Sequence, residues 1–272
     1  MVTVKVLGHF EVLIGGTPVP SAAWQSRKAR ELLLILVARR GRAVPREELT
    51  HLLWPDDPSA RAGHRLSNLL SLVRAVLGGP APGRHPGVLR ADRDAVRLDP
   101  AETEVDADVF LTGVAAARAQ ADRGDRTRAV RLLMTVEDMY RGDPFDDMPY
   151  AGWAQPLREE ARAGYLGGVR MLARLLRAAG DVDHSAHYLL RLLAKDPYDE
   201  DAHRSLVRAL VCDGRHGEAR RAFTRYAAAM REIDVTPPDA TMLIRPESDP
   251  VPFRRNATGS DGTAQDRPER YQ

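Results

Sequence analysis

Hydrophobic positions recur with period two at the start of the chain and with a period near 3.6 almost everywhere else. Val2, Val4 and Val6, then Phe10, Val12 and Ile14, alternate with Thr3, Lys5, His9 and Glu11, the pattern of half-buried strands. Gly15-Gly16 marks a hairpin turn, and residues 17–20 return as a short strand. The period then changes. Ala29, Leu32, Leu33, Leu36 and Val37 fall on one helical face, with Ser26 placed to cap the start and Gly41 to end it. Pro45 is set at the first position of a second helix, which carries Glu47 and Glu48 in its first turn, Leu49, Leu52 and Leu53 as its buried stripe, and Pro55 as its stop. A third helix follows Pro58, with Leu66, Leu69, Leu70, Val73 and Leu77 as its apolar stripe. After the Gly/Pro-rich stretch 78–87, residues 88–90 and 95–98 read as strands around Asp92-Arg93-Asp94, a hairpin with a basic tip. Strands, three helices and a hairpin, in that order, predict a winged helix over residues 1–100, in which the third helix enters the DNA major groove.

From Asp106 the text is nearly all helical. Segments 109–121, 129–139, 153–179, 185–194, 201–211 and 218–233 are separated by Gly124, the turn-rich 142–149 stretch, Gly180, Pro197 and Gly214. Gly180 and Gly214 stand 34 residues apart, as do Leu176 and Leu210, and Ser185 and Ala219. A 34-residue helix–turn–helix period is the tetratricopeptide signature. The expected organisation is therefore a mostly α protein: a winged helix-turn-helix with small antiparallel sheets (1–100), an all-α tetratricopeptide-like domain (106–234), and a proline-rich disordered tail (235–272).

Composition bounds the function classes. The 272 residues are 43% apolar and 29% charged, ordinary globular values for two domains. The longest apolar run, Leu32 to Ala38, is far short of the ~20 residues of a membrane span. No leader is visible, and the lone Cys212 excludes an internal disulfide and a multi-cysteine zinc site. A cytoplasmic protein without membrane contact is expected. The net charge of +2 conceals an asymmetry. Residues 1–100 hold 15 Lys/Arg against 9 Asp/Glu, and residues 101–272 hold 25 against 29. The front half is the one suited to a polyanion.

The third helix carries the most chemistry. At 100° per residue, Arg61, His64, Asn68, Ser71 and Ala75 face away from its apolar stripe, flanked by Arg65, Ser67, Leu72 and Arg74. Arg and Asn make bidentate contacts to guanine and adenine edges, and Ser contacts either. A solvated polar face is the plain alternative; the two preceding helices and the basic hairpin favour the DNA reading. Arg27 and Lys28 stand at a helix start, where a phosphate would meet both the helix N-terminus and two cations. Arg90, Arg93 and Arg97 on the hairpin suit an adjacent groove or phosphates. His184 and His187, with Asp181 and Asp183, and the Asp143, Asp146 and Asp147 patch lack the ligand sets of zinc or calcium sites. No nucleophile elbow, phosphate loop or dinucleotide fingerprint occurs. Neither an enzyme nor a cofactor is expected.

The order of motifs resembles one family. It comprises Arg27-Lys28-Ala29-Arg30-Glu31-Leu32-Leu33, Val44-Pro45-Arg46-Glu47-Glu48-Leu49, Leu53-Trp54-Pro55-Asp56-Asp57-Pro58, the stripe from Leu66 to Leu77, and Val105-Asp106-Ala107-Asp108-Val109-Phe110 with Tyr140-Arg141-Gly142. Over about residues 1–235 the chain is similar to the Streptomyces antibiotic regulatory proteins of the small, stand-alone type. The resemblance implies an OmpR-like winged helix followed by a bacterial transcriptional activation domain, with no receiver domain. It further implies side-by-side protomers on tandem direct repeats, recruitment of RNA polymerase through its sigma factor and alpha subunit, and activation of an antibiotic or other secondary-metabolite gene cluster. By position, base readout falls to Arg61, His64, Arg65, Ser67, Asn68 and Ser71. Phosphate and wing contacts fall to Arg27, Lys28, Arg46, Arg74, Arg90, Arg93 and Arg97. The chain departs from the family in lacking a glycine–tyrosine pair before the last wing strand, and Thr236-Pro237-Pro238-Asp239 stands where a closing helix is usual. From a different class, a helical-repeat adaptor for a protein or peptide, without DNA readout, is the alternative.

Overall fold

A computed structural model describes residues 1–56, 62–78, 87–239 and 243. Strands β1 (Val2–Lys5), β2 (Glu11–Ile14) and β3 (Thr17–Pro18) form the opening hairpins. Helix α1 (Arg27–Ala38) follows, then β4 (Val44–Pro45), α2 (Arg46–Leu53), α3 (Ala62–Leu77), β5 (Leu89–Ala91), β6 (Ala95–Leu98) and β7 (Thr103–Val105). The remainder is helical: α4 (Asp106–Asp122), α5 (Arg126–Met139), a 3-10 turn at Gly152–Ala154, α6 (Gln155–Ala178), α7 (Val182–Lys195), α8 (Glu200–Cys212) and α9 (His216–Glu232).

Ser26 caps α1 as its position predicts, its side chain accepting from the Ala29 amide. The predicted one-sided stripe of α1 is too narrow, because Leu34 and Ile35 are buried as well. The helix is covered from two sides: α2, α3 and β6 pack on it, and so does the 3-10 turn from the helical half. Pro45 is not the first residue of α2 but the end of β4, where Val44 and Pro45 pair with Val96 and Ala95. With φ −55 and ψ 140 it is extended, and a residue without an N–H is tolerated on this edge strand. The three-stranded sheet β4-β6-β5 thus ties the hairpin to the start of α2.

The second sheet has the order β3-β2-β1-β7. Its first three strands are antiparallel, with Val4 opposite Val12, whereas β7 lies parallel to β1, Val4 beside Val105. Residues 103–105, between the two predicted domains, are therefore a strand of the front sheet that runs directly into α4. Just beyond β1, Asp106 accepts from the backbone N–H of Val6 (2.8 Å) and Leu7 (3.1 Å). Phe145 N–H donates to the Val6 carbonyl at 3.1 Å. Phe145 holds φ +60 although it carries a large buried side chain, a costly conformation kept by this bond and by an edge contact with Trp153 at 5.2 Å. Gly8 and Gly142 let the two backbones meet: a Cβ on Gly142 would lie 2.7 Å from the Gly8 Cα. One hydrophobic core runs through both halves, from Val2 to Met230 and Leu243. Around it Arg40 pairs with Asp108 (2.6 Å) and Glu160 (3.0 Å), and Arg30 with Asp147.

In the helical half, each helix from α4 to α9 packs against the next. Gly180 and Gly214 end α6 and α8 with φ of +83 and +75. Leu176 and Leu210 are both buried in the turn before, Ser185 and Ala219 in the turn after. The hairpins α6–α7 and α8–α9 thus repeat one unit. Asp181 caps α7, whereas at the equivalent place Arg215 grips Glu218 and Asp183 instead. Of the expected tail, residues 235–239 carry no helix or strand, and Leu243 is helical and buried. The other tail residues lie outside those described.

Candidate nucleic-acid interface

Helix α3 divides as its periodicity predicts. Leu66, Leu69, Leu70, Val73 and Leu77 are buried against α1 and α2. His64, Ser67, Asn68, Ser71, Arg74 and Ala75 are exposed. Arg61 lies outside the described residues. The exposed hydroxyls are partly committed: Ser67 Oγ donates to the Gly63 carbonyl and Ser71 Oγ to the Ser67 carbonyl, each at 3.1 Å. Their remaining lone pairs can accept from a base amino group. Asn68 and His64 present both donor and acceptor atoms to solvent. Arg65 differs from its neighbours. It is half-buried, with its guanidinium 4.5 Å from the Trp54 ring centre. Trp54, half-buried against the core, is a shelf that orients Arg65. A tryptophan just after α2 and an arginine in the second turn of α3 are the only sequence signals of that contact.

The hairpin that follows is rigidly turned. Asp92 accepts from the backbone N–H of Asp94 (2.9 Å) and Ala95 (2.7 Å). These two bonds, that from Ala95 first, hold its carboxyl below the usual range. Arg46 Nε donates to the Asp92 carbonyl at 3.1 Å, so Arg46 braces the hairpin from α2. Arg93 is exposed at the tip. Arg90 and Arg97 stand directly opposite across β5 and β6, both exposed. Like charges so paired repel. Asp99 relieves them through its ion pair with Arg90, and its own carboxyl is held low first by the Ala101 N–H and then by the two arginines.

The two cations at the start of α1 separate. Arg27 is exposed, with no ion pair among the described residues. Lys28 is engaged within the fold: its ammonium donates to the Leu53 carbonyl at the end of α2 (2.7 Å) and pairs with Glu31 (2.9 Å). Among the described residues no group of His, Cys, Asp and Glu is arranged to hold a metal. His184, the centre of one candidate cluster, pairs with Asp181 at 2.9 Å.

A three-helix unit with a β-hairpin wing, joined to antiparallel helix hairpins, defines a winged helix-turn-helix protein with a helical-repeat half. The bacterial transcriptional activator domain family matches residues 105–245, and the chain belongs to that family, as the order of its motifs anticipates. It is similar to the transcriptional regulatory protein EmbR of Mycobacterium tuberculosis and of Mycobacterium bovis. The identity is 27% over 233 residues, which is 84% of this chain and 58% of each relative. A solved structure of Mycobacterium tuberculosis EmbR in complex with a low-affinity phosphopeptide superposes with a TM-score of 0.75 at 26% identity, covering 89% of this chain and 64% of that one. The chain thus spans less than two thirds of the length of these relatives. No described helix is long and apolar enough to cross a membrane.

Proposed function

We propose that this chain is a sequence-specific DNA-binding transcriptional activator, with residues 1–100 as the DNA-binding domain and 106–234 as the activation domain. The observation that carries the reading is the exposed polar face of α3, which sets His64, Ser67, Asn68 and Ser71 over an apolar stripe fully committed to the core. Asn68 reads a base edge in the major groove. Arg65, steadied by Trp54, reads a second, and Arg61 is assigned to base readout by the resemblance alone. Arg27, Arg74, Arg93 and Arg97 contact phosphates, Arg90 does so while sharing Asp99, and Arg46 and Lys28 act mainly by holding the elements that carry the others. Protomers bind head to tail on direct repeats. The helical half recruits RNA polymerase, and the target is a secondary-metabolite gene cluster, as in the family the motifs resemble. The relatives named as transcriptional regulators support the general class.

A selection of random duplexes with the purified chain at two salt concentrations tests this. Enrichment of a direct repeat about one helical turn apart, with affinity falling steeply in salt, is expected. Recovery of no preferred sequence would overturn the readout and leave the adaptor reading.

A further inference from the structure

Residues 106–234 balance 20 Lys/Arg against 21 Asp/Glu, yet one groove of the helical half is lined with arginine. This groove, of about 740 Å³, lies between α4, α6 and α8. Arg170, Arg174 and Arg177 run along α6 at i, i+4 and i+7, a row about 10 Å long at the helical rise. Arg204 and Arg208 line it from α8, and Arg118 and Arg126 from α4 and α5. Only two acids, Asp122 and Asp201, share the lining. Arg170 pairs with Asp199, and Arg204 with Glu200. Arg118, Arg126, Arg174 and Arg177 are exposed and have no ion pair among the described residues. The Nε of Arg204 is buried without a hydrogen-bond partner.

Cations gathered in a concave surface repel one another and focus a positive potential into it. An arginine-rich genome accounts for arginine in place of lysine; it does not account for arginines converging here while the half as a whole is close to neutral. The guanidinium fork suits phosphoryl and carboxylate oxygens in pairs. The rest of the lining narrows the class. The half-buried Leu175 offers an apolar edge beside the arginines, above the buried Met171 and Leu189 that floor the groove. Asp122 and Asp201 repel a phosphoryl group and accept from hydroxyl or amino donors.

We propose that this groove binds a nucleoside polyphosphate. The phosphates lie along the α6 arginines and meet Arg204, and the base and sugar lie toward the apolar surface and the two aspartates. This site is separate from α3 and its hairpin and does not depend on the DNA reading.

The test is titration calorimetry on the full chain with GTP, ATP, GMP, inorganic tripolyphosphate and an oligoglutamate peptide, each at fixed ionic strength. Saturable binding of GTP or ATP is expected, at least tenfold tighter than GMP and tighter than tripolyphosphate. The Arg174→Ala/Arg177→Ala pair should weaken it tenfold or more. These side chains are exposed, and an unchanged melting curve of the variant without ligand verifies its fold. Arg93→Ala, on the DNA hairpin, should leave nucleotide binding unchanged. The proposal is overturned if neither nucleotide binds saturably, or if the double variant binds as the parent does. It is equally overturned if oligoglutamate binds more tightly than both nucleotides, which would make the groove a peptide site, or if tripolyphosphate matches them, which would make it a bare anion site.

Discussion

Asp106 is the side chain through which the helical half holds the end of the first strand. Replacing it by alanine removes the acceptor for the Val6 and Leu7 N–H groups. Both residues are almost fully buried, at 1% and 2% exposure, so water does not readily take the place of the carboxylate. A hydrogen bond to a charged acceptor contributes about 1.5–3 kcal/mol. Against the two bonds stands the cost of burying the carboxylate, which raises its pKa above the ordinary 3.8 in spite of the bonds from Val6, Leu7 and Ala107. The expected net loss for Asp106→Ala is about 2–4 kcal/mol, and Asp106→Asn, which keeps one acceptor oxygen, should lose about half as much. Urea unfolding read by tryptophan fluorescence and by circular dichroism measures it. Trp24 and Trp54 report the front half and Trp153 the rear. The pH dependence follows from the direction of the shift. The folded chain holds the Asp106 proton more tightly than the unfolded chain, so stability falls as pH rises from about the ordinary carboxyl value through the raised one. The advantage of the parent over Asp106→Asn should therefore shrink across that window. A change below about 0.5 kcal/mol for Asp106→Ala, or an advantage that grows with pH, would refute the assignment.

On the proposed DNA reading, Asn68→Ala should cost about 1–3 kcal/mol on the preferred duplex and relax preference at one base pair, measured by competition binding. Arg27→Ala should weaken all duplexes alike and lower the slope of log affinity against log salt by about 1. Trp54→Ala should loosen Arg65 and cost DNA affinity about 0.5–1 kcal/mol, and the loss on adding Arg65→Ala should be smaller than that of Arg65→Ala alone; fully additive losses would mean the stacking does not serve readout. Gly142→Ala should destabilise by at least 1 kcal/mol or so in urea, because its Cβ would stand 2.7 Å from the Gly8 Cα and 2.8 Å from Asp146 Oδ2; a neutral result would mean the backbones can part without cost.

The amino-acid sequence by itself determined the elements whose pattern is local. The stripe of α3, the Ser26 cap and the 34-residue spacing of Gly180 and Gly214 each depend on residues within a turn or two. Backbone geometry then dictates which positions share a face. The same periodicity picked out His64, Ser67, Asn68 and Ser71 as the outward face. What required the tertiary structure is whatever joins residues distant in the chain. Three residues with little strand signature form β7 because β1 offers them a parallel edge. Pro45 is a strand end because Ala95 lies beside it. Leu34 and Ile35 are buried because the helical half covers the back of α1. Likewise Lys28 bonds the end of α2, Arg65 settles on Trp54, and arginines from four helices line one groove. Each is decided by a partner 25 or more residues away, or by several at once, apart from the Arg65–Trp54 pair, where packing between helices does what local spacing cannot. A single sequence records which residues a face contains; which second surface meets that face follows only when burial and hydrogen bonding are satisfied for the whole chain together.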